Sequence, residues 1–278
     1  MAIVTLKEIL DSAEAGKYAV GSFNVINYES VRGILDAAQL VRSPVILAIA
    51  QIQLDDVDFA SIMNIMVHEA EKASVPVAVH LDHGLDFRTI QEAVRLGCSS
   101  VMFDGSALPL QENIRLTKQV VDYAHTRNVS VEGEVGEMGR GNGGEKPSMT
   151  DLEDAKKFVS ETGVDALAAA FGTVHGMMRT KPALDLELLK RLHENVDTHL
   201  VVHGGSGLVL EDYRRMIERG IRKINYFTYG YRDAARALKT YIEANPDALY
   251  DELSFFIQEA FKEIFTGVME AFGSAGQA

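Results

Sequence analysis

Short apolar segments alternate with longer, more polar segments along most of this chain. Each apolar segment spans only four to seven residues, which is typical of strands buried on both faces. The segments between them are long enough to form helices. We therefore predict eight strands, at residues 18–23, 44–50, 75–80, 100–103, 129–134, 166–170, 200–203 and 221–224.

The predicted helices occupy the intervals around these strands. They span residues 5–15, 29–41, 57–72, 87–96, 110–126, 151–162, 184–194 and 210–219, and Thr150 is the predicted N-cap of the sixth. Eight strand–helix units in succession favour a closed parallel barrel over an open sheet. Since no linker or low-complexity stretch divides the chain, we predict one α/β domain over residues 1–278, a TIM (β/α)8 barrel with extra C-terminal helices.

The C-terminal part of the chain, from residue 229, is longer than eight units require and is predicted to be mostly helical. Residues 248–272 carry large apolar side chains, many of them at spacings of three and four. Such a helix either packs on the barrel wall or contributes to a subunit contact. We favour partial use in a subunit contact.

Composition and charge narrow the class of protein. Of the 278 residues, 47% are apolar, so a large core is possible without disulfides, and the single cysteine, Cys98, is interpreted as structural. The net charge of −13 disfavours nucleic acid and anionic membranes as partners. There is neither a signal-peptide pattern nor an apolar run of about 18 residues. We expect a soluble cytoplasmic protein.

Three histidines follow three different predicted strands: His83, His175 and His203. In a parallel barrel these strand ends meet at one mouth. A single histidine is more often structural than functional, but three imidazoles at one mouth suit a catalytic zinc with an open coordination position. Asp82 is placed beside them for proton transfer. On an extended chain His80 and Asp82 share one face, so His83 is expected on the other face or on the turn.

A glycine-rich turn, HGGSG at residues 203–207, joins the seventh predicted strand to a helix. Bare backbone there can approach a phosphate closely, and Ser206 can donate a hydrogen bond. The loops after strands seven and eight of such barrels often hold phosphate. Gly176 belongs to a second turn of this kind, and Arg179 is a candidate cationic contact.

These motifs resemble those of the class II, metal-dependent fructose-bisphosphate and tagatose-bisphosphate aldolases. The resemblance covers nearly the whole chain, and its most specific parts are VHLDHG at 79–84, VEGEVG at 131–136 and HGGSG at 203–207. It implies an aldehyde-lyase of carbohydrate metabolism, acting on a phosphorylated sugar with dihydroxyacetone phosphate as one product. It also implies a homodimer or homotetramer.

The resemblance assigns roles to individual residues. His83, His175 and His203 would hold Zn²⁺, with Glu134 near the metal, and Asp82 would act as acid/base on the hydroxyl beside the bond that breaks. A glutamate of the loop after Glu134 would be the second acid/base, with Glu145 the first candidate and Glu137 the second. A monovalent cation, Na⁺ or K⁺, would lie near the phosphate. The substrate-binding residues would be Asn24, Gly176, Arg179, Gly204, Ser206, Asn225 and Thr228.

The chain departs from the family pattern where bisphosphate enzymes hold their second phosphate. Ala50 stands where a serine is usual, and no arginine follows Arg236, although the family pattern has one in the C-terminal segment. We therefore predict that the aldehyde is not phosphorylated, unless Arg32, Arg140 or Arg232 replaces the missing contact. Lys223, inside the eighth strand, is interpreted as structural.

Three alternatives remain open at this point. The first is an ordinary fructose- or tagatose-bisphosphate aldolase. The second is a non-catalytic partner subunit, which retention of Asp82 and the three histidines disfavours. The third is a metal-dependent barrel of different chemistry, such as a hydrolase or an epimerase.

Overall fold

Eight parallel strands close into a barrel in the computed structural model, which describes residues 2–136, 148–177 and 181–278 and the backbone of 139–140. Each strand pairs with the next along the chain, and β8 pairs with β1. The predicted TIM (β/α)8 fold is therefore confirmed. The barrel strands are β1 (Val20–Asn24), β2 (Val45–Ala50), β3 (Val77–Gly84), β4 (Ser100–Phe103), β5 (Ser130–Val135), β6 (Ala166–Ala169), β7 (His199–Val202) and β8 (Ile221–Asn225).

Helices cover the outside of the barrel, and a 3₁₀ turn at Gln51–Asp55 follows β2. One further parallel strand pair, Gly139–Arg140 with Val174–His175, lies outside the barrel sheet. The helices are α1 (Leu6–Gly16), α2 (Tyr28–Val41), α3 (Phe59–Lys72), α4 (Phe87–Arg95), α5 (Leu110–His125), α6 (Leu152–Thr162), α7 (Leu186–Asn195), α8 (Leu210–Ile217), α9 (Thr228–Ala244) and α10 (Tyr250–Ala271).

The cap of α6 differs from the prediction. Asp151, not Thr150, is the N-cap, because its Oδ1 accepts hydrogen bonds from the backbone N–H groups of Glu153 and Asp154. Thr150 is buried instead. Its hydroxyl accepts from the Ala170 N–H and donates to the carbonyl of Val135, so it ties the loop before α6 to the ends of two barrel strands.

The barrel interior changes from apolar to polar along its axis. Its N-terminal end is filled by Ala78, Met102, Ala166 and Val201, which pack with the apolar face of α1. Towards the carboxyl ends of β3, β5 and β8 the inward side chains become polar. They are His80, Asp82, Glu132, Glu134, Lys223 and Asn225, and each is buried. The N-terminal end therefore stabilises the fold, and the polar groups are concentrated towards the carboxyl end.

Helix α10 packs on the barrel wall, chiefly against α2. Gly33 of α2 permits this close approach, because a Cβ there would lie 2.6 Å from the carbonyl oxygen of Gln258. Phe261, Phe265 and Met269 of α10 are buried, whereas Phe255 is 69% exposed. The wall-packing interpretation thus accounts for the buried face, and use of the exposed residues in a subunit contact stays a prediction.

Two further expectations concern the role of Cys98 and the lack of a membrane-spanning segment. Cys98 is buried with its Sγ 3.8 Å from Sδ of Met63, which agrees with a structural role. Within the described part of the chain, every helix is too short or too polar to cross a membrane.

Candidate active site

The three predicted metal ligands lie together at the carboxyl end of the barrel. His83 belongs to β3, His203 directly follows β7, and His175 lies on the short strand after β6. Their ring nitrogens lie within 4.8 Å of one another, and the His83 ring centroid is 4.6 Å from that of His203 and 5.2 Å from that of His175. The fold thus assembles one group from three distant parts of the sequence.

An irregular end of β3 brings both Asp82 and His83 to the mouth. The strand continues four residues beyond its predicted end, to Gly84, which pairs with Phe103 of β4. Its register with β4 shifts between Leu81 and Gly84, and His83 has a positive φ of 46°. Strict alternation would turn neighbouring side chains to opposite faces, so this local departure is what places them side by side.

Two carboxylates orient two of the imidazoles. Asp104 Oδ2 lies 2.8 Å from Nδ1 of His83, and Glu132 Oε1 lies 2.7 Å from Nε2 of His203. The other nitrogens, Nε2 of His83 and Nδ1 of His203, face each other at 2.9 Å. Metal-binding histidines in proteins are commonly held by a carboxylate on the far nitrogen in this way. The donor set therefore fits a zinc ion, which favours imidazole nitrogen.

The charges around the histidines also favour a cation. Burial opposes a charge on His83, but the carboxylates of Asp82 and Asp104 outweigh it and raise the pKa of His83 to about 10. Burial and the neighbouring imidazoles of His203 and His83 lower the pKa of His175 to about 3. One positive charge is thus stabilised strongly within the group, while His175 stays neutral and available as a ligand.

Asp82 is held by two amide groups. Asn24 Nδ2 donates to Oδ2 of Asp82 at 3.0 Å, and Asn225 Nδ2 donates to Oδ1 at 3.0 Å. Burial alone would favour the neutral acid, but the imidazoles of His83 and His203 hold the pKa of Asp82 well below its usual range. Asp82 is therefore an ionised, oriented carboxylate beside the histidines. This geometry agrees with its predicted role as acid/base, which stays a prediction.

Glu134 has a different environment. Its side chain is buried, and Oε2 has no hydrogen-bond partner among the described residues. Burial and the carboxylate of Asp104 raise the pKa of Glu134 well above its usual range. One carboxylate oxygen of Glu134 lies within 4.8 Å of a ring nitrogen of His83 and of a carboxylate oxygen of Asp104. This agrees with the predicted place of Glu134 near the metal.

A cavity of about 240 Å³ opens beside the histidines and is bordered on one side by the predicted phosphate residues. Gly204 has a φ of 63°, and a Cβ there would lie 2.4 Å from the carbonyl oxygen of Val174, so only glycine fits. Ser206 Oγ accepts from the Phe227 N–H at 2.8 Å and keeps its own proton for donation. Helix α9 begins here at Thr228, so its N-terminus also faces this side of the cavity.

Comparison with known proteins decides the family. The family model described as "Fructose-bisphosphate aldolase class-II" matches residues 4–277. The chain belongs to the class II fructose-bisphosphate aldolase family. Its members are aldehyde-lyases, so the chain is an enzyme that makes or breaks a carbon–carbon bond, and the expectation of an aldolase is confirmed.

Two similar aldolases carry different substrate names. The fructose-bisphosphate aldolase of Geobacillus stearothermophilus is 37% identical over 286 residues, covering 100% of this chain and 99% of that protein. The 6-phospho-5-dehydro-2-deoxy-D-gluconate aldolase of Halalkalibacterium halodurans is 40% identical over 288 residues, with the same coverage. The crystal structure of the YdjI aldolase from Escherichia coli K12 matches with a TM-score of 0.89 and 35% identity, covering 99% of each chain.

The segment after β2 also lines the aldolase cavity. Ala50 and Gln53 lie there, and the backbone N–H of Ala50 donates to Oε1 of Gln53 at 2.9 Å. Among the described residues, no lysine or arginine lines this cavity. Arg32 is engaged by Asp36 and Glu69.

Arg232, the other described arginine proposed as a replacement, is engaged by the adjacent carboxylate of Asp233. Four of the predictions fall on residues whose side chains lie outside the described part of the chain. These are Glu137, Arg140, Glu145 and Arg179.

The sequence alone gave no role to several polar residues that the barrel brings to this site. Asp104 and Glu132 hold metal-ligand candidates, and Lys223 donates to Oε2 of Glu132 at 2.8 Å. Burial opposes ionisation of Glu132, but Lys223 and His203 lower its pKa to about 2. For Glu132 and Lys223 the signal that was available is the spacing of two along β5 and β8, which places both side chains on the inner face.

Proposed function

We propose that this class II aldolase is zinc-dependent and cleaves a ketose 1-phosphate, reversibly, to dihydroxyacetone phosphate and an aldehyde that carries no phosphate. The observation that carries the proposal is the asymmetry of the cavity. The glycine turn, Ser206 and the N-terminus of α9 offer donors for one phosphate, whereas the lining after β2 consists of Ala50, Ile52 and Gln53, none of them charged.

Zinc held by His83, His175 and His203 would supply Lewis-acid stabilisation of negative charge on the ketone half of the substrate. Residues of the chain bind the phosphate, orient the substrate and transfer protons. Gly204 and Ser206 bind the phosphate of that half through backbone and hydroxyl donors. This fixes the ketone end, so that the bond to be broken lies beside the histidines and Asp82.

Asp82 moves one proton. In cleavage, its carboxylate takes the proton from the hydroxyl on the aldehyde side of the breaking bond. The carbonyl of the aldehyde forms, and the electron pair of the broken bond passes to the dihydroxyacetone phosphate half. Asn24 and Asn225 keep both oxygens of Asp82 in position for this transfer. Glu145 is our candidate for returning a proton to the carbon of the ketone half.

The choice of a non-phosphorylated aldehyde rests on missing donors. A phosphate contact made by a charged hydrogen bond contributes about 1.5–3 kcal/mol, so the loss of two contacts lowers affinity by roughly 100- to 10,000-fold. The relative from Halalkalibacterium halodurans supports this choice, because its named substrate carries one phosphate, next to a ketone. The relative from Geobacillus stearothermophilus, named for a bisphosphate, supports the alternative.

The decisive comparison is kcat/KM for fructose 1,6-bisphosphate against kcat/KM for a panel of ketose 1-monophosphates, measured on the zinc-loaded enzyme. We expect the best monophosphate to exceed the bisphosphate by roughly 100-fold or more, on the scale of two lost phosphate contacts. A clear preference for the bisphosphate would restore the ordinary aldolase alternative. The predicted monovalent cation and the homo-oligomer remain proposals drawn from the family resemblance, and the cytoplasmic location remains a proposal drawn from the sequence.

A further inference from the structure

Lys223 is fully buried inside the barrel and makes an ion pair that does not reach the cavity. Its Nζ lies 2.8 Å from Oε2 of Glu132, and both side chains have no solvent exposure. A buried ion pair is costly to form and is frequently no better for stability than apolar residues of the same size. The burial of Lys223 therefore points to a role other than stability.

The ion pair continues into the proposed metal centre. Glu132 uses its second oxygen, Oε1, to contact Nε2 of His203 at 2.7 Å. The chain of contacts thus runs from Lys223 through one carboxylate to the far nitrogen of a metal-ligand candidate. At its other end, Nδ1 of His203 faces Nε2 of His83 at 2.9 Å.

The direction of each hydrogen bond follows from the donors that Lys223 carries. A lysine ammonium has three donors and no acceptor, and an ionised carboxylate only accepts. Glu132 must therefore accept from Lys223 at one oxygen and from His203 at the other. A neutral His203 that donates through Nε2 has its lone pair on Nδ1, the nitrogen that faces the other ligands. The opposite tautomer would point an N–H at the metal position.

We propose that Lys223 is a positioning residue for the metal centre, which acts through Glu132 to fix the tautomer of His203 that can bind zinc. The inference rests on the zinc site of the proposed function. In this role Lys223 touches neither metal nor substrate, although the sequence alone led to a structural interpretation of it. Carboxylates in this position typically contribute 10- to 100-fold to metal affinity, and part of that contribution is assigned here to Lys223.

Replacing Glu132 by glutamine separates this role from a structural one. In Glu132→Gln, Lys223 still donates and so draws the amide oxygen towards itself, which turns the amide N–H towards His203. His203 must then accept at Nε2 and carry its proton on Nδ1, the wrong tautomer. In the double variant Glu132→Gln/Lys223→Met, the amide is free to turn its oxygen to His203. Removing the lysine should therefore restore part of the zinc affinity.

The experiment measures the zinc dissociation constant of the metal-stripped, full-length protein by competition with a chromophoric chelator. We expect the wild type to bind most tightly, Glu132→Gln to bind about 10- to 100-fold more weakly, and the double variant to lie between them. Thermal unfolding of each stripped protein establishes that it is folded. Lys118→Met, which removes an exposed lysine of α5 that pairs with Asp122, controls for the change of charge and should bind zinc like the wild type.

The outcomes discriminate between the two proposals. If the wild type binds zinc but the double variant binds no more tightly than Glu132→Gln, Lys223 does not set the tautomer and the inference is wrong. If all variants bind like the wild type, the inference is also wrong, while the zinc site stands. If the wild type itself fails to bind zinc, the proposed function fails at its metal, before any role of Lys223.

Discussion

Replacing Asp82 by asparagine tests the proposed acid/base most sharply. A general acid/base typically accelerates a reaction by about 100- to 10,000-fold, which corresponds to about 2.7–5.4 kcal/mol at 1.36 kcal/mol per factor of ten. The amide of Asp82→Asn cannot take up a proton. We therefore expect kcat for cleavage and for condensation to fall by roughly this factor, while zinc remains bound.

The Asp82→Asn change also disturbs the hydrogen bonds around position 82. The resulting loss of stability must be separated from the loss of the acid/base. The carboxylate accepts from Asn24 at one oxygen and from Asn225 at the other, both at 3.0 Å. An asparagine has only one acceptor oxygen, so one of the two neighbouring amides then meets another donor. Leaving a buried donor without an acceptor costs about 1–3 kcal/mol, and the melting temperature should fall.

A matched double variant distinguishes the two costs. In Asp82→Asn/Asn24→Asp, the new carboxylate at position 24 accepts from the new amide at position 82, and Asn225 still donates to position 82. We expect the melting temperature to recover, but not turnover, because the carboxylate is no longer at position 82. Turnover close to that of the wild type in either variant would refute the role of Asp82.

The assay should follow two reactions. Exchange of the carbon-bound hydrogen of dihydroxyacetone phosphate with deuterated water reports activation of the ketone half alone, and cleavage reports the whole reaction. Because Asp82 is proposed to act on the aldehyde side, Asp82→Asn should keep most of the exchange while it loses cleavage. Equal loss of both reactions, together with loss of zinc, would mean that Asp82 is structural.

Three further predictions concern the metal, the second phosphate and pH. His175→Ala should lose most bound zinc and activity, as measured by elemental analysis of the purified protein, and full metal content in that variant would contradict the ligand assignment. Ala50→Ser should raise kcat/KM for fructose 1,6-bisphosphate by at least about tenfold, since one charged hydrogen bond contributes about 1.5–3 kcal/mol, and no change would place the second phosphate elsewhere. The hydrogen bond that His125 Nε2 donates to the carboxylate of Asp165 raises the pKa of His125 despite partial burial. The stability supplied by protonated His125 is therefore fully present below about pH 6.5 and is lost as the pH rises through its folded value, so His125→Asn should lower the melting temperature more at about pH 6 than at about pH 9.

Much of the fold was predictable because its strands are short, apolar and buried on both faces. The end of β3 was not, because the prediction stopped at the first polar residue, His80. In the barrel that residue is fully buried and its Nδ1 lies 2.8 Å from Oγ of Ser100, so polarity there does not mark the end of a strand. The error at Thr150 has a similar cause, since two adjacent residues can both cap a helix and tertiary contacts decide between them.

The site was predictable as far as its residues end strands and belong to recognisable motifs. His83, His175 and His203 follow from that rule. The carboxylates and the lysine that hold these histidines in place were not predictable, because their contacts depend on which side chains meet inside the barrel. Lys223 and Glu132 are 91 positions apart in the sequence, and their contact is set by the closure and register of the barrel.

We propose that this enzyme activates dihydroxyacetone phosphate at a zinc site built from the three histidines. Hydrogen exchange of dihydroxyacetone phosphate in deuterated water, without any aldehyde, tests it most directly. We expect exchange with the zinc-loaded wild type, loss of exchange after the metal is stripped, and recovery when one equivalent of zinc per chain is restored. Exchange that survives complete removal of the metal, or its absence from the fully loaded enzyme, would contradict it.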